Sequence, residues 1–157
     1  MPVLFDSALL DLLRNHARDS PRRRAHHPLH RSLDEPCQRL LVAIEPDSYV
    51  PPHRHLQPEK SEALIVLRGR LACFTFDESG TCTQRTVLAP GDGIDVPPGE
   101  WHAVLALDPG TVFFETKAGP YRPLADDERA PWAPGEGESG AAAYRERLRA
   151  ACLGDAD

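Results

Sequence analysis

Proline restricts this chain more than any other residue: sixteen are spread over 157 residues, about a tenth of the sequence and roughly twice average usage. A proline ring fixes φ and removes a backbone donor, so it disrupts helix interiors and is kept out of central strands. A helical bundle is thereby excluded. The spacing allows a β-rich domain with many turns, or a domain carrying loose tails. The length suits a single domain able to bury its own core.

Between Cys37 and Lys117 short apolar runs alternate with turn chemistry. The runs predict strands over Cys37–Ile44, Ser48–His55, Glu62–Leu67, Leu71–Phe76, Thr81–Leu88, Gly93–Val96, His102–Leu107 and Val112–Lys117. Arg68-Gly69-Arg70, Asp77–Gly80, Pro97-Pro98-Gly99 and Asp108-Pro109-Gly110 supply the reversals. Strands at short, regular spacing with no helical pattern between them indicate an all-β antiparallel sandwich or barrel. Residues 6–18 read as an amphipathic helix with Asp6 or Ser7 as its N-cap. The organisation expected is an N-terminal helix and arm (1–36), a small β-barrel (37–123), and an irregular tail (124–157) with a short helix over Ala141–Cys152. The basic stretch Pro21-Arg22-Arg23-Arg24 reads as a solvated loop.

Charge narrows the function classes. Eighteen Lys and Arg against 24 Asp and Glu leave a net charge of −6, which argues against a nucleic-acid or anionic-membrane binder. No apolar run is long enough for a membrane-spanning helix. The apolar N-terminus has no basic residue before it, and Asp6 and Asp11 interrupt it, unlike a signal peptide. Cys37, Cys73, Cys82 and Cys152 show no CxxC spacing and read as small, partly buried thiols of a reduced, cytoplasmic protein.

The sharpest chemical signal is Pro51-Pro52-His53-Arg54-His55. Alternate side chains of an extended segment share a face, so His53 and His55 project together and can grip one cation. Glu62 opens the next apolar strand, where an antiparallel partner brings its carboxylate alongside. A third imidazole, His102, follows the turn Pro97-Pro98-Gly99. Three imidazoles and one carboxylate suit one divalent transition metal, whether Mn, Fe, Co, Ni, Cu or Zn. On an octahedral ion they leave two positions open for water or a bidentate ligand, an arrangement that permits Lewis-acid or oxygen chemistry. Glu59 competes with Glu62 for the carboxylate position; the spacing to Gly69 and the strand placement favour Glu62.

These residues carry a family resemblance. His53-x-His55, six residues, Glu62, six residues, Gly69 resembles the first cupin motif. Gly91, five residues, Pro97-x-Gly99, two residues, His102 resembles the second, with Ala106 where an Asn often stands. Across residues 19–138 the segments Ser20-Pro21-Arg22, Cys37-Gln38-Arg39, Lys60-Ser61-Glu62, Glu115-Thr116-Lys117, Gly119-Pro120-Tyr121 and Trp132-Ala133-Pro134 are similar to the WbuC-type cupin metalloproteins. That resemblance implies a single cupin domain of jelly-roll type, a bound metal, and an association with surface-polysaccharide metabolism.

Three further residues are candidates for binding a small-molecule substrate. Lys60 lies on the connection from His55 into Glu62, where it either binds a substrate anion or remains solvated. Arg39 shares strand parity with Leu41 and Ala43, which points it into the barrel, either toward a ligand or into a salt bridge with a carboxylate such as Glu115. Tyr121 either closes the pocket or packs in the core. His26, His27 and His30 have no motif support as ligands, although His30 is placed to line the pocket mouth. Trp101 is expected opposite His102, and Trp132 to staple the C-terminal segment to the barrel. The function expected is a metal-dependent enzyme on a small polar, sugar-derived molecule, an isomerase, epimerase or oxygenase. The alternative is a non-catalytic ligand-binding or sensing protein. Exposed sheet edges favour a homodimer.

Overall fold

The computed structural model describes residues 1–153; the last four residues of the expected tail lie outside the described residues. Helix α1 (Ser7–Asp19) is followed by strands β1 (Arg24–Pro28), β2 (Cys37–Ile44), β3 (Glu62–Arg68), β4 (Leu71–Phe76), β5 (Cys82–Leu88), β6 (Gly93–Val96), β7 (Trp101–Ala106) and β8 (Thr111–Ala118), then by helix α2 (Ala141–Leu153). A 3-10 turn over Asp126–Glu128 lies between β8 and α2. The strands form a five-stranded sheet in the order β1-β2-β8-β3-β6 and a three-stranded sheet in the order β5-β4-β7. Every pairing is antiparallel. The two sheets make a jelly-roll-like sandwich, so the expected barrel is realised as two layers and not as a closed cylinder.

The strands expected from the apolar runs form within one residue of their sequence bounds, with two departures. Ser48–His55 is not a strand; only His53 makes isolated bridges, to His102 and Arg129. Pro51 and Pro52 carry no amide hydrogens, so a ladder cannot propagate through them. The second departure is β1, which starts at the last residue of the expected loop and runs through the arm, where no strand is expected. It is an edge strand on β2, pairing Arg24 with Ile44 and Pro28 with Leu40, and an edge is where a strand tolerates proline.

Alternation along the strands produces two apolar layers and a filled interior. Val42, Ile44, Leu64, Val66, Leu71, Leu88, Ala106 and Phe113 form the core between the sheets, each large side chain worth roughly 1.5–3 kcal/mol on burial. The opposite face of β2 and β8 is also buried: Leu41, Ala43 and Val112 pack against Leu13 and Ala17 of α1. Asp6 caps that helix, its carboxylate accepting from the Leu9 amide at 3.1 Å.

The outer face of the three-stranded sheet is covered by the C-terminal segment. Ala72, Phe74, Phe76, Trp101, Ala103, Leu105 and Ala130 cluster there, with Trp132, Leu148 and Cys152 packed against them. Trp132 sits 5.0 Å from the Phe76 ring and 6.1 Å from the Trp101 ring, which is the stapling role its position in the sequence suggests. Further along, Glu136 binds both Arg22 and Arg24, with bonds of 2.6 and 2.8 Å. The basic stretch is therefore not simply a solvated loop: Arg24 is buried and belongs to β1. Among the described residues no helix is long and apolar enough to cross a membrane.

Candidate metal centre and cavity

The turns beside the site explain how two sequence-distant motifs meet. His53 and His102 exchange backbone hydrogen bonds in both directions, at 3.0 and 2.9 Å. Gly99, at a φ of 85° in the Pro97-Pro98-Gly99 turn, donates its amide to the His55 carbonyl at 2.7 Å. A positive φ is accessible to glycine without steric cost. Gly69 closes the β3–β4 turn at a φ of 68°, where an added Cβ would also collide with Thr111. Arg54, between the two histidines, points away: its guanidinium lies 4.2 Å over the Trp101 ring and pairs with Glu78.

One potential ligand atom from each of His53, His55, Glu62 and His102 lies within 4.8 Å of the other three. The imidazole centroids are 4.4 Å apart for His53 and His102, and 5.3 Å apart for His53 and His55. His55 Nε2 lies 3.1 Å from Glu62 Oε2. His53 Nδ1 is hydrogen-bonded to the Pro51 carbonyl at 3.1 Å and His102 Nδ1 to the Glu100 carbonyl at 2.9 Å. A carbonyl can only accept, so each of these Nδ1 atoms carries the proton and each Nε2 is left with its lone pair. The His102 Nε2 is buried and has no hydrogen-bond partner among the described residues. A lone pair left unsatisfied at this depth is costly, and a metal ion would use it. Glu59 is exposed and stands outside this group, so the carboxylate present is Glu62.

Electrostatics keep His53, His102 and Glu62 in the protonation states a metal needs. Burial, with His102 beside it, pushes the His53 imidazole down to about 3. Burial likewise lowers His102. Burial works against the Glu62 carboxylate, but the Lys117 ammonium and the contact with His55 outweigh it and hold the group well below its ordinary range. Neutral imidazoles and an ionised carboxylate are the forms that bind metal.

The four residues lie at the wall of a cavity of about 460 Å3, an ordinary size for a small-molecule site. Leu40, Val42, Val50, Val104 and Phe113 supply its apolar wall. Glu115 and Lys117 face the same space, because they share inward parity with Phe113 on β8. Lys117 stands opposite Glu62 in the β3–β8 register and bonds both carboxylates, at 3.2 Å to Glu62 and 2.8 Å to Glu115. Burial and the nearby Glu62 charge raise the Glu115 carboxyl, with Lys117 opposing the shift. From sequence, Glu115 is expected only as a partner for Arg39, and Lys117 has no role. The alternation Phe113-x-Glu115-x-Lys117 was the available signal for both.

The three candidate substrate-binding residues separate. Lys60 and Tyr121 line the cavity, Lys60 buried and Tyr121 exposed at the mouth. Arg39 does not line it: its guanidinium pairs with Glu35 at 2.8 Å. Its parity with Leu41 and Ala43 holds, but that face of β2 looks toward α1, while Gln38, Leu40, Val42 and Ile44 look into the cavity. The expected partner Glu115 is engaged by Lys117 instead. His30 does line the cavity, its Nδ1 within 3.0 Å of the Arg39 carbonyl, and His26 lines it too.

A model of the family described as "Domain of unknown function (DUF6016)" matches residues 5–88. Among solved structures, KdgF from Halomonas sp. is similar with a TM-score of 0.52 at 18% identity, the alignment covering 66% of this chain and 85% of that one. A cupin superfamily protein from Desulfitobacterium hafniense DCB-2 is similar with a TM-score of 0.56 at 16% identity, covering 75% of this chain and 94% of that one. These likenesses establish that the chain has the cupin fold. No curated protein matches the sequence.

Proposed function

Because the chain belongs to the DUF6016 family, whose description names no activity, we propose a function from the site itself: a cupin metalloprotein that holds one divalent transition metal on His53, His55, Glu62 and His102 and acts as a metal-dependent enzyme on a small polar molecule. The observation that carries this reading is the convergence of the four donor groups, one with an orphaned buried Nε2, on a cavity of small-molecule size. A bound divalent ion supplies Lewis acidity toward a carbonyl or hydroxyl oxygen. The remaining work belongs to the chain. Lys117 fixes the Glu62 carboxylate, and the Pro51 and Glu100 carbonyls fix the ring orientations of His53 and His102.

Glu115 supports the enzyme reading over a purely sensing role. It is a second carboxyl in the same cavity, separate from the donor group, with an ammonium 2.8 Å away to stabilise its charged form. Such a group can take and return a proton at a substrate atom. The resemblance to WbuC-type proteins adds to this proposal a sugar-derived substrate and a place in surface-polysaccharide metabolism, while the cysteine usage adds a cytoplasmic location and exposed sheet edges a homodimer.

The test is to incubate metal-loaded protein with panels of hydroxy and keto sugars in deuterated water and follow the pools by NMR. An isomerase or epimerase incorporates deuterium next to the carbonyl, and an oxygenase consumes dissolved oxygen. Either activity should vanish in Glu115→Gln while metal binding persists. Binding of a panel member with no turnover under either assay would favour the sensing role.

A further inference from the structure

Five Lys and Arg side chains line the cavity among the described residues: Arg22, Arg24, Lys60, Lys117 and Arg122. Three of them are already engaged. Arg22 and Arg24 share the Glu136 carboxylate, and Arg24 also bonds Ser48 Oγ and the Tyr49 carbonyl. Lys117 is neutralised by Glu62 and Glu115. Lys60 is different. It is only 6% exposed, yet its ammonium makes no hydrogen bond or ion pair among the described residues. Burial, then Lys117 and Arg122, disfavour its charge, and the more distant Glu128 and Glu59 only partly oppose them. Glu128 is committed elsewhere, accepting from the Leu56 and Ala125 amides at 2.9 Å each.

The buried part of this side chain is its stem, and the ammonium opens on the cavity, where water or a ligand anion meets it. A bound anion would give it the partner the chain does not supply. Arg122, exposed and likewise without a partner among the described residues, adds a second positive charge. The sign is opposite to that of the whole chain, whose net charge is −6, so the positive character is local to the cavity. With a dication on the four donor groups the field would strengthen further.

We propose that the cavity binds a small organic oxyanion, a carboxylate or phosphate, whose charged end is held by Lys60 with Arg122 beside it while its polar remainder faces the His53, His55, Glu62 and His102 group. This rests on reading the cavity as a small-molecule site and names the class of molecule it takes. Lys60 is then a specificity residue: it selects an anion over a neutral polyol of equal size. The lysine presents a compact charge that accepts either oxyanion.

The experiment compares three probes of similar size by calorimetric titration: glycerate, glycerol 3-phosphate and glycerol. Each is titrated into wild type and Lys60→Met, with zinc loaded and without it. At least one anion should bind wild type tenfold or more tighter than glycerol, and the tighter of the two identifies the oxyanion. Lys60→Met should lose that preference and leave glycerol binding unchanged. Its melting temperature without ligand should stay within a few degrees of that of wild type, because the ammonium makes no ion pair among the described residues that the substitution could break. Equal binding of glycerol and both anions, failure of both anions to bind, unaltered anion affinity in Lys60→Met, or a melting temperature several degrees lower would each overturn the proposal. The zinc titration in the same samples separates the two readings. Absence of zinc binding overturns the metal reading, while anion binding that depends on Lys60 without zinc leaves the oxyanion reading standing.

Discussion

The same strands build two unlike ends of one sandwich. On β3, Leu64 and Val66 belong to the apolar core and Glu62, on the same face, to the donor group. On β8, Phe113 packs in the core and Glu115 and Lys117 face the cavity. On β7, Ala106 closes the core while His102 reaches the donor group. The dry end leaves nothing polar to satisfy. The wet end holds two carboxylates, an unpaired lysine and a buried imidazole nitrogen without a partner. The dry end is built for stability; the wet end is stable only in part and is completed by what it binds.

Substitutions at the two ends should therefore differ in kind, and the largest effect belongs to the dry end. Leu71→Ala leaves a cavity in the core, away from the site, and should cost about 3–5 kcal/mol in urea unfolding, with or without metal. Lys117→Met removes the one cation between Glu62 and Glu115 and should cost about 3 kcal/mol in chelator. Saturating zinc should recover much of that loss, because a dication replaces the missing charge. If zinc leaves the loss unchanged, the polar end is as self-contained as the core and the contrast fails.

Acid should probe the wet end selectively. The folded state holds His53 near 3 against about 6.5 in the unfolded chain, so the unfolded state takes up protons first as pH falls. Stability of the metal-free protein should be full above about pH 7 and decline below 6.5, by about 2 kcal/mol at pH 5 from His53 alone. His102 and Glu62, both lowered, act with the same sign, Glu62 below its ordinary range. Glu115 opposes them, since its raised carboxyl is protonated more readily when folded. Chemical denaturation from pH 7.5 to 4.5 checks the slope, and a flat profile would contradict it.

A smaller effect tests the ion pairs of Glu136 with Arg22 and Arg24. Glu136 is held down to about 2, chiefly by hydrogen bonds from Arg22 and then Arg24. The pair is partly solvated, so Glu136→Gln should cost only about 1 kcal/mol. It also frees Arg24 toward the cavity, and should strengthen anion binding by a measurable factor.

The fold was legible because apolar runs and turn residues agree: each strand from β2 to β8 lies within one residue of its sequence bounds. The donor group was legible through spacing, since extended His53-x-His55 and a turn glycine before His102 leave few ways to arrange four side chains. What escaped did so for local reasons. Arg39 has the expected parity, but β2 is buried on both faces and parity cannot say which one α1 covers. The strand at Ser48–His55 was suggested by apolar content and prevented by Pro51 and Pro52. Strand β1 hid behind an arginine run that looks solvated, because its partner Glu136 lies more than a hundred residues away in sequence.

One measurement bears most directly on the account: calorimetric zinc titration of chelator-treated wild type beside His102→Ala. The account predicts one equivalent bound tightly by wild type and affinity reduced at least a hundredfold in His102→Ala, which should still unfold cooperatively without metal although it loses the bond to the Glu100 carbonyl and leaves a small cavity. Wild type that binds no stoichiometric metal, or a variant that binds it equally well, would contradict the central claim.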